Sequence, residues 1–367
     1  MNSLSASLLI ASSLLAGVGP TLAADPANPA IVFGDLRRAQ LADGIDDQGF
    51  VTIGGISQWI SVRGRHKSAP ILLFLHGGPG FTSIPTSYYF MSGWDEYFTV
   101  AQYDQRGAGK TYGGNDPAQI RPTMTIDRMV ADAEEVAAYL RRNYHRDKIV
   151  LVGHSWGSFL GVKLAQRHPD WFYAYVGIGQ VVDMAKSEAL GFQATLAAAR
   201  KADNAQAISE LESLAPFPDP QHPERNLENL QKERHWLAYF GGATWHGTQD
   251  QYGDIAKLSP DVSAKDRQDR DKGLELSLNA LWTELGRSSL WNITDFGCPI
   301  ILFVGRHDIN VNAALTAEWF GRIHAPAKKL VWFENSAHLV YEEEQGKALV
   351  SLVEDVLPLT QPVPRRD

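Results

Sequence analysis

Short continuous apolar runs, separated by stretches of helical periodicity, set the organisation of this chain. Strand-like runs occur at residues 50–53, 56–62, 71–75, 98–103, 148–152, 173–178, 300–304 and 329–333. The middle ones do not alternate with polar residues, which is the pattern of strands buried on both faces of a parallel sheet. Between two of them Ile126, Met129, Val130, Ala133, Val136, Ala137 and Leu140 recur at three- and four-residue spacing. That spacing predicts an amphipathic helix, capped by Thr125 and closed by Arg141 and Arg142. A second helix is expected over 157–167, stopping before His168-Pro169. Strand, helix, strand in this order implies an α/β fold with a mostly parallel central sheet, right-handed crossovers and helices on both faces.

The rhythm breaks over 183–292, which reads as several helices with a loop at Pro216, Pro218, Pro220 and Pro223. Aromatics concentrate there: Trp236, Tyr239, Phe240, Trp245, Tyr252 and Trp282. Such an insertion is expected to form a helical lid over the carboxyl ends of the strands, where open α/β sheets bind ligands. The core is then 49–182 and 293–360, preceded by a weakly patterned leader over 25–48. Residues 1–24 carry no charged side chain, and an apolar stretch from Leu8 to Val18 precedes Gly19-Pro20 and Ala23-Ala24. This is the layout of a secretory signal peptide, with an apolar region too short to span a bilayer. The expected location is periplasmic or secreted, with no stable membrane insertion after cleavage.

Charged residues make up 21% of the chain, the net charge is −8 and no long Lys/Arg run occurs. Nucleic acid and anionic membrane are therefore excluded as main partners. Cys298 is the only cysteine, which excludes an intramolecular disulfide and a cysteine zinc site. No cofactor or metal is called for, and the expected partner is a small-molecule or short-peptide substrate.

The chemistry lies at the strand ends. The run 148–152 leads into Gly153-His154-Ser155-Trp156-Gly157, a G-x-S-x-G sequence between a strand and a helix. A sharp turn there exposes the hydroxyl of Ser155, and the helix N-terminus supplies N–H groups and a positive dipole end. His76-Gly77-Gly78-Pro79-Gly80 follows another strand, so the N–H groups of Gly78 and Trp156 are the expected oxyanion hole. A serine nucleophile needs a base and the base needs an orienting acid. His338 and Asp308 each follow a strand on the same sheet edge, in the order Ser, Asp, His. Asp183 is an alternative acid, and His307 competes as base from a poorer strand position. Gly109-Lys110-Thr111 hints at a phosphate loop, but Asp104 stands where that loop needs glycine. An Arg-Gly turn held by a buried Asp/Arg pair accounts for it better.

Taken together, HGGPG at 76–80, DQRGAGKT at 104–111, GHSWGS at 153–158, GRHD at 305–308 and Ala337-His338 resemble the prolyl aminopeptidase (proline iminopeptidase) group of α/β-hydrolases. The resemblance covers roughly 45–182 and 293–358. It implies an α/β-hydrolase fold, Ser155, Asp308 and His338 as catalytic triad, and Gly78 and Trp156 as oxyanion donors. Members that release N-terminal proline hold the substrate's free amine with lid carboxylates, in motifs missing here. Glu210, Glu212, Glu233, Glu275 and Glu284 are candidate substitutes, and Trp236 is a further candidate substrate-binding residue. The expected function is an exported serine hydrolase working through an acyl-enzyme and releasing N-terminal residues from short peptides. A carboxylesterase or amidase of the same fold is the alternative, followed by a non-catalytic binding protein.

Overall fold

In the computed structural model, residues 28–222, 225–246 and 249–361 are described, the side chains of residues 249, 250 and 252 excepted. The expected signal peptide lies outside them. The strands are β1 (Ile45–Ile53), β2 (Ile56–Gly64), β3 (Ile71–Leu75), β4 (Thr99–Tyr103), β5 (Ile149–His154), β6 (Phe172–Ile178), β7 (Ile300–Gly305) and β8 (Lys328–Phe333). They form one sheet in the order β1-β2-β4-β3-β5-β6-β7-β8. The pairs β1–β2 and β2–β4 are antiparallel, and every later pair is parallel.

The continuous apolar runs follow from two covered faces. Along β3, Leu72 and Phe74 enter one core while Ile71, Leu73 and Leu75 enter the other, and β5 divides its residues likewise. The helices Ile126–Asn143 and Trp156–Arg167 pack on one side. The helices Ile84–Phe90 and Gln345–Asp355 pack on the other. Each fully buried Leu or Phe in these layers contributes about 1.5–3 kcal/mol. Thr125 caps its helix as expected, its hydroxyl accepting from the Arg128 N–H at 3.2 Å.

One expectation changes. Residues 25–48 hold more than a leader, because they contain the helix Pro29–Gln40 and the start of β1. That helix leaves Ile31, Val32 and Leu36 exposed, so it shows no buried apolar stripe to read. Charge fixes it instead, through an Arg37–Asp261 ion pair at 2.7 Å. The buried Asp/Arg pair at the Arg-Gly turn forms, but its acid comes from a distant helix. The Arg106 Nε donates to Asp132 at 2.8 Å, with further bonds to the Gly54 carbonyl and Thr123 hydroxyl. Asp104 instead accepts from the Thr82 hydroxyl and the Lys110 N–H.

Between β6 and β7 the chain forms the helices Met184–Lys201, Ala205–Glu212, Asn226–Tyr239, Gln249–Lys257 and Ala264–Leu285. The last begins with a capping box, in which Ser263 and Asp266 satisfy each other's backbone N–H.

Candidate active site

Parallel strands deliver their following residues to one sheet edge. Here β3 leads to His76–Gly78, β4 to Gln105, β5 to Ser155, β7 to Asp308 and β8 to His338. Ser155 sits at φ 55°, ψ −123°, a conformation that costs a non-glycine residue about 1–3 kcal/mol. Its N–H donates to the Ile178 carbonyl at 2.9 Å, anchoring the turn to β6. A side chain at Gly157 would collide with the Leu75 carbonyl oxygen, and one at Gly153 with the Gly157 carbonyl oxygen. Both glycines are therefore required by close approach. Because Trp156 opens its helix, its N–H has no carbonyl acceptor within that helix. A side chain on Gly77 would meet the Ser155 Cβ at 3.1 Å, which brings the Gly77-Gly78 backbone alongside Ser155. Gly78 has φ 113°, a value reserved in practice for glycine.

His338 and Asp308 meet as the strand order requires. The His338 Nδ1 lies 2.9 Å from the Asp308 Oδ2, and both residues are buried. The other oxygen, Oδ1, accepts from the N–H groups of Asn310 at 2.9 Å and Val311 at 3.1 Å. Asp183 is no substitute here, because it caps the helix Met184–Lys201 through the Lys186 N–H. His307 stacks on Trp245 at 3.4 Å between ring centroids. His154 braces the His338 carbonyl from Nε2 at 3.1 Å, and burial lowers its pKa to about 3.

Sequence reasoning passed over Gln105, which ties the two halves of the candidate oxyanion hole together. Its side-chain Oε1 accepts from the Trp156 indole at 2.8 Å and its Nε2 donates to the His76 carbonyl at 3.0 Å. Its backbone N–H donates to the His76 Nε2 at 3.1 Å. That obligatory donor leaves the imidazole proton on Nδ1, which donates to the Gly77 carbonyl at 2.9 Å. Burial keeps His76 neutral by lowering its pKa to about 4. Gln105→Leu removes the two side-chain bonds and is expected to lower kcat about 10- to 100-fold, with KM within about twofold. Steady-state kinetics on one substrate, beside a melting curve, check this.

Ser155, Trp156, Gly78 and His338 line one cavity of about 470 Å³. Its walls are mostly apolar, with Met184, Leu230, Leu274, Leu278, Trp282 and Leu285 from the inserted helices. Four charged side chains also reach it: Glu188, Arg234, Arg270 and Glu342. The acids expected from sequence are not among the lining residues. Glu210 and Glu275 are exposed, and Glu210 accepts from Gln206 and from the Trp236 indole at 2.9 Å each. Trp236 is buried in the insertion's own packing. Glu233 is fully buried behind Arg234, accepting from it and from the Thr195 hydroxyl. Glu212 pairs with Arg200, and Glu284 accepts from the Ile126 N–H.

Glu188, by contrast, lines the cavity. It is 3% exposed, one oxygen pairs with Arg234, and the other, Oε2, has no hydrogen-bond partner. Burial raises its pKa, with Arg234 opposing. Glu188 and Glu233 together place two carboxyl groups on the one guanidinium of Arg234. Met184, Ser187, Glu188, Gly191, Phe192 and Thr195 form the buried face of their helix, and Glu188 is the ionisable residue on it. Glu342, likewise buried, has its pKa pushed up to about 8 by desolvation.

Residues 70–345 match the family model of the alpha/beta hydrolase fold. The chain belongs to the α/β-hydrolase family. A probable aminopeptidase of Bacillus subtilis is 30% identical over 300 residues, which are 80% of this chain and 91% of that one. A proline iminopeptidase of Saccharolobus solfataricus is 24% identical over 316 residues, 83% of this chain and 90% of its own. Among solved structures, a proline iminopeptidase-related protein of Thermus thermophilus gives a TM-score of 0.61 at 19% identity, covering 84% of this chain and 96% of that one. Proline iminopeptidase of Mycobacterium smegmatis gives 0.59 at 17% identity, covering 83% and 96%. At these identities the structures speak for the shared fold. This α/β-hydrolase is a prolyl aminopeptidase-like enzyme of the serine hydrolase type.

Proposed function

We propose that this enzyme is an aminopeptidase that releases the N-terminal residue of short peptides through an acyl-enzyme on Ser155. His338 takes the hydroxyl proton as Ser155 attacks the scissile carbonyl, and Asp308 holds the imidazole and balances its charge. The N–H groups of Gly78 and Trp156 receive the oxyanion, each worth about 3 kcal/mol of barrier. His338 then protonates the leaving amine, and water releases the acyl group.

The observation that carries the aminopeptidase reading is Glu188, which lines the cavity shared with Ser155 and whose buried Oε2 has no hydrogen-bond partner. An unsatisfied buried acceptor costs about 1–3 kcal/mol, more when charged. A substrate ammonium at Oε2 supplies the missing donor and adds a second cation to the two carboxyl groups that share Arg234. An uncharged acyl chain does neither. The apolar walls suit proline or another apolar first residue.

Export belongs to the same proposal and is supported by the apolar stretch Leu8 to Val18. The test is a panel of aminoacyl arylamides, proline included, with free and with acetylated amines, run beside short acyl esters. Turnover of the free-amine arylamides alone is expected. Rapid turnover of acyl esters with inert arylamides would assign a carboxylesterase instead.

A further inference from the structure

The helix Ala264–Leu285 lines the cavity along most of its length. Arg270, Leu274, Leu278, Trp282 and Leu285 follow at spacings of three and four, so one face of the helix forms a continuous wall. The inner end of this wall lies beside Glu188. The Met184 N–H donates to the Ser288 carbonyl at 3.2 Å, and the Leu290 N–H to the Val182 carbonyl at 2.6 Å. These bonds set the helix C-terminus against the start of the helix that carries Glu188. At the outer end stand Arg270, Gly253, Thr86 and Phe81, the last 49% exposed.

Arg270 is held unlike three other enclosed arginines. Arg234, Arg63 and Arg106 each pair with a carboxylate that is itself buried. Two N–H groups of Arg270 go to Asp271, at 2.8 and 3.0 Å, but the Asp271 side chain is 66% exposed. A pair with one solvated partner and adjacent positions in sequence is weak and easily exchanged. A guanidinium has five N–H donors, so it can receive a second, bidentate carboxylate without losing its place. The cavity therefore has Glu188, paired with Arg234, at one end and Arg270 at the other, with mostly apolar side chains between and Glu342 also on its wall.

We propose that Arg270 is a subsite for a carboxylate on the leaving side of the peptide, which makes short free-acid peptides the preferred substrate class. This rests on the aminopeptidase reading and adds a second point of recognition to it. Both ends of a short zwitterionic peptide then find a partner, the ammonium at Glu188 and the carboxylate at Arg270. From Leu285 to Arg270 the helix rises about 22 Å at 1.5 Å per residue. After allowance for the arginine's own reach, that span suits an extended peptide of about four to six residues.

Wild type and Arg270→Ala are to be compared on proline-first alanine peptides of two to six residues, each as free acid and as C-terminal amide. A set of amides carrying one internal glutamate and the proline arylamide complete the panel. For the free acids, Arg270→Ala should raise KM about tenfold, most at the longer lengths, and Arg270→Lys should recover part of this. The plain amides and the arylamide should stay within about twofold of wild type. If only the glutamate-bearing amides respond to Arg270→Ala, the recognised carboxylate is a side chain, and the subsite stands with that source. Equal effects on acids, amides and arylamide, or none on any, would overturn the subsite while leaving the aminopeptidase intact. Failure of wild type to turn over any free-amine substrate would overturn both.

Discussion

Ser155→Ala is expected to lower kcat by about 10⁵-fold or more and to abolish labelling by a fluorophosphonate probe, leaving the melting temperature close to wild type. The size of the effect follows from the mechanism. Without the hydroxyl there is no acyl-enzyme, and only binding and the oxyanion N–H groups remain to assist water. The fold should tolerate the change, because the close contacts of the turn are made by Gly153 and Gly157 and its anchor is the residue 155 backbone N–H. Labelling of the variant at the wild-type rate would place the nucleophile elsewhere.

Asp308→Asn should cost about 10⁴-fold in kcat, again with the fold intact. The structure indicates why the amide cannot simply stand in. Oδ1 of Asp308 accepts from two backbone N–H groups, those of Asn310 and Val311. An asparagine must keep its carbonyl oxygen there, so its NH₂ faces the His338 Nδ1. The imidazole is then driven to carry its proton on Nε2, the nitrogen that must be free to accept from Ser155. Steady-state kinetics on a proline arylamide measure the loss, and near-UV circular dichroism checks the packing. A loss of less than about tenfold would show that Asp308 does not set the tautomer.

The sheet was legible because strands with two covered faces leave continuous apolar runs, as at Ile71–Leu75 and Ile149–His154. Ser155, Asp308 and His338 were legible because each follows such a strand, and the pairing of His338 with Asp308 agrees with that placement. The helix Pro29–Gln40 escaped notice because an ion pair rather than an apolar stripe holds it. Gln105 looked like part of a turn, since its partners, the Trp156 indole and the His76 backbone, are distant in sequence. The cavity acids were misjudged for a related reason. Helical charges usually face water, as Glu210 and Glu275 do, and sequence alone does not show which helix face meets the strand ends. Glu188 differs in sitting on the buried face of its helix, a contrast that packing makes plain.

Recognition of the free amine by Glu188 is tested most directly by one ratio. It is kcat/KM for a proline arylamide over that for its N-acetylated form, measured in wild type and in Glu188→Gln. Glutamine keeps a carbonyl oxygen for Arg234 and replaces Oε2 with an NH₂ that cannot accept from an ammonium, at nearly unchanged volume, so the cavity should hold its shape. A wild-type ratio of about 100 or more is expected, collapsing by at least about tenfold in Glu188→Gln through loss on the free-amine substrate alone. A ratio that stays the same in both proteins would contradict the assignment of Glu188 as the amine's partner.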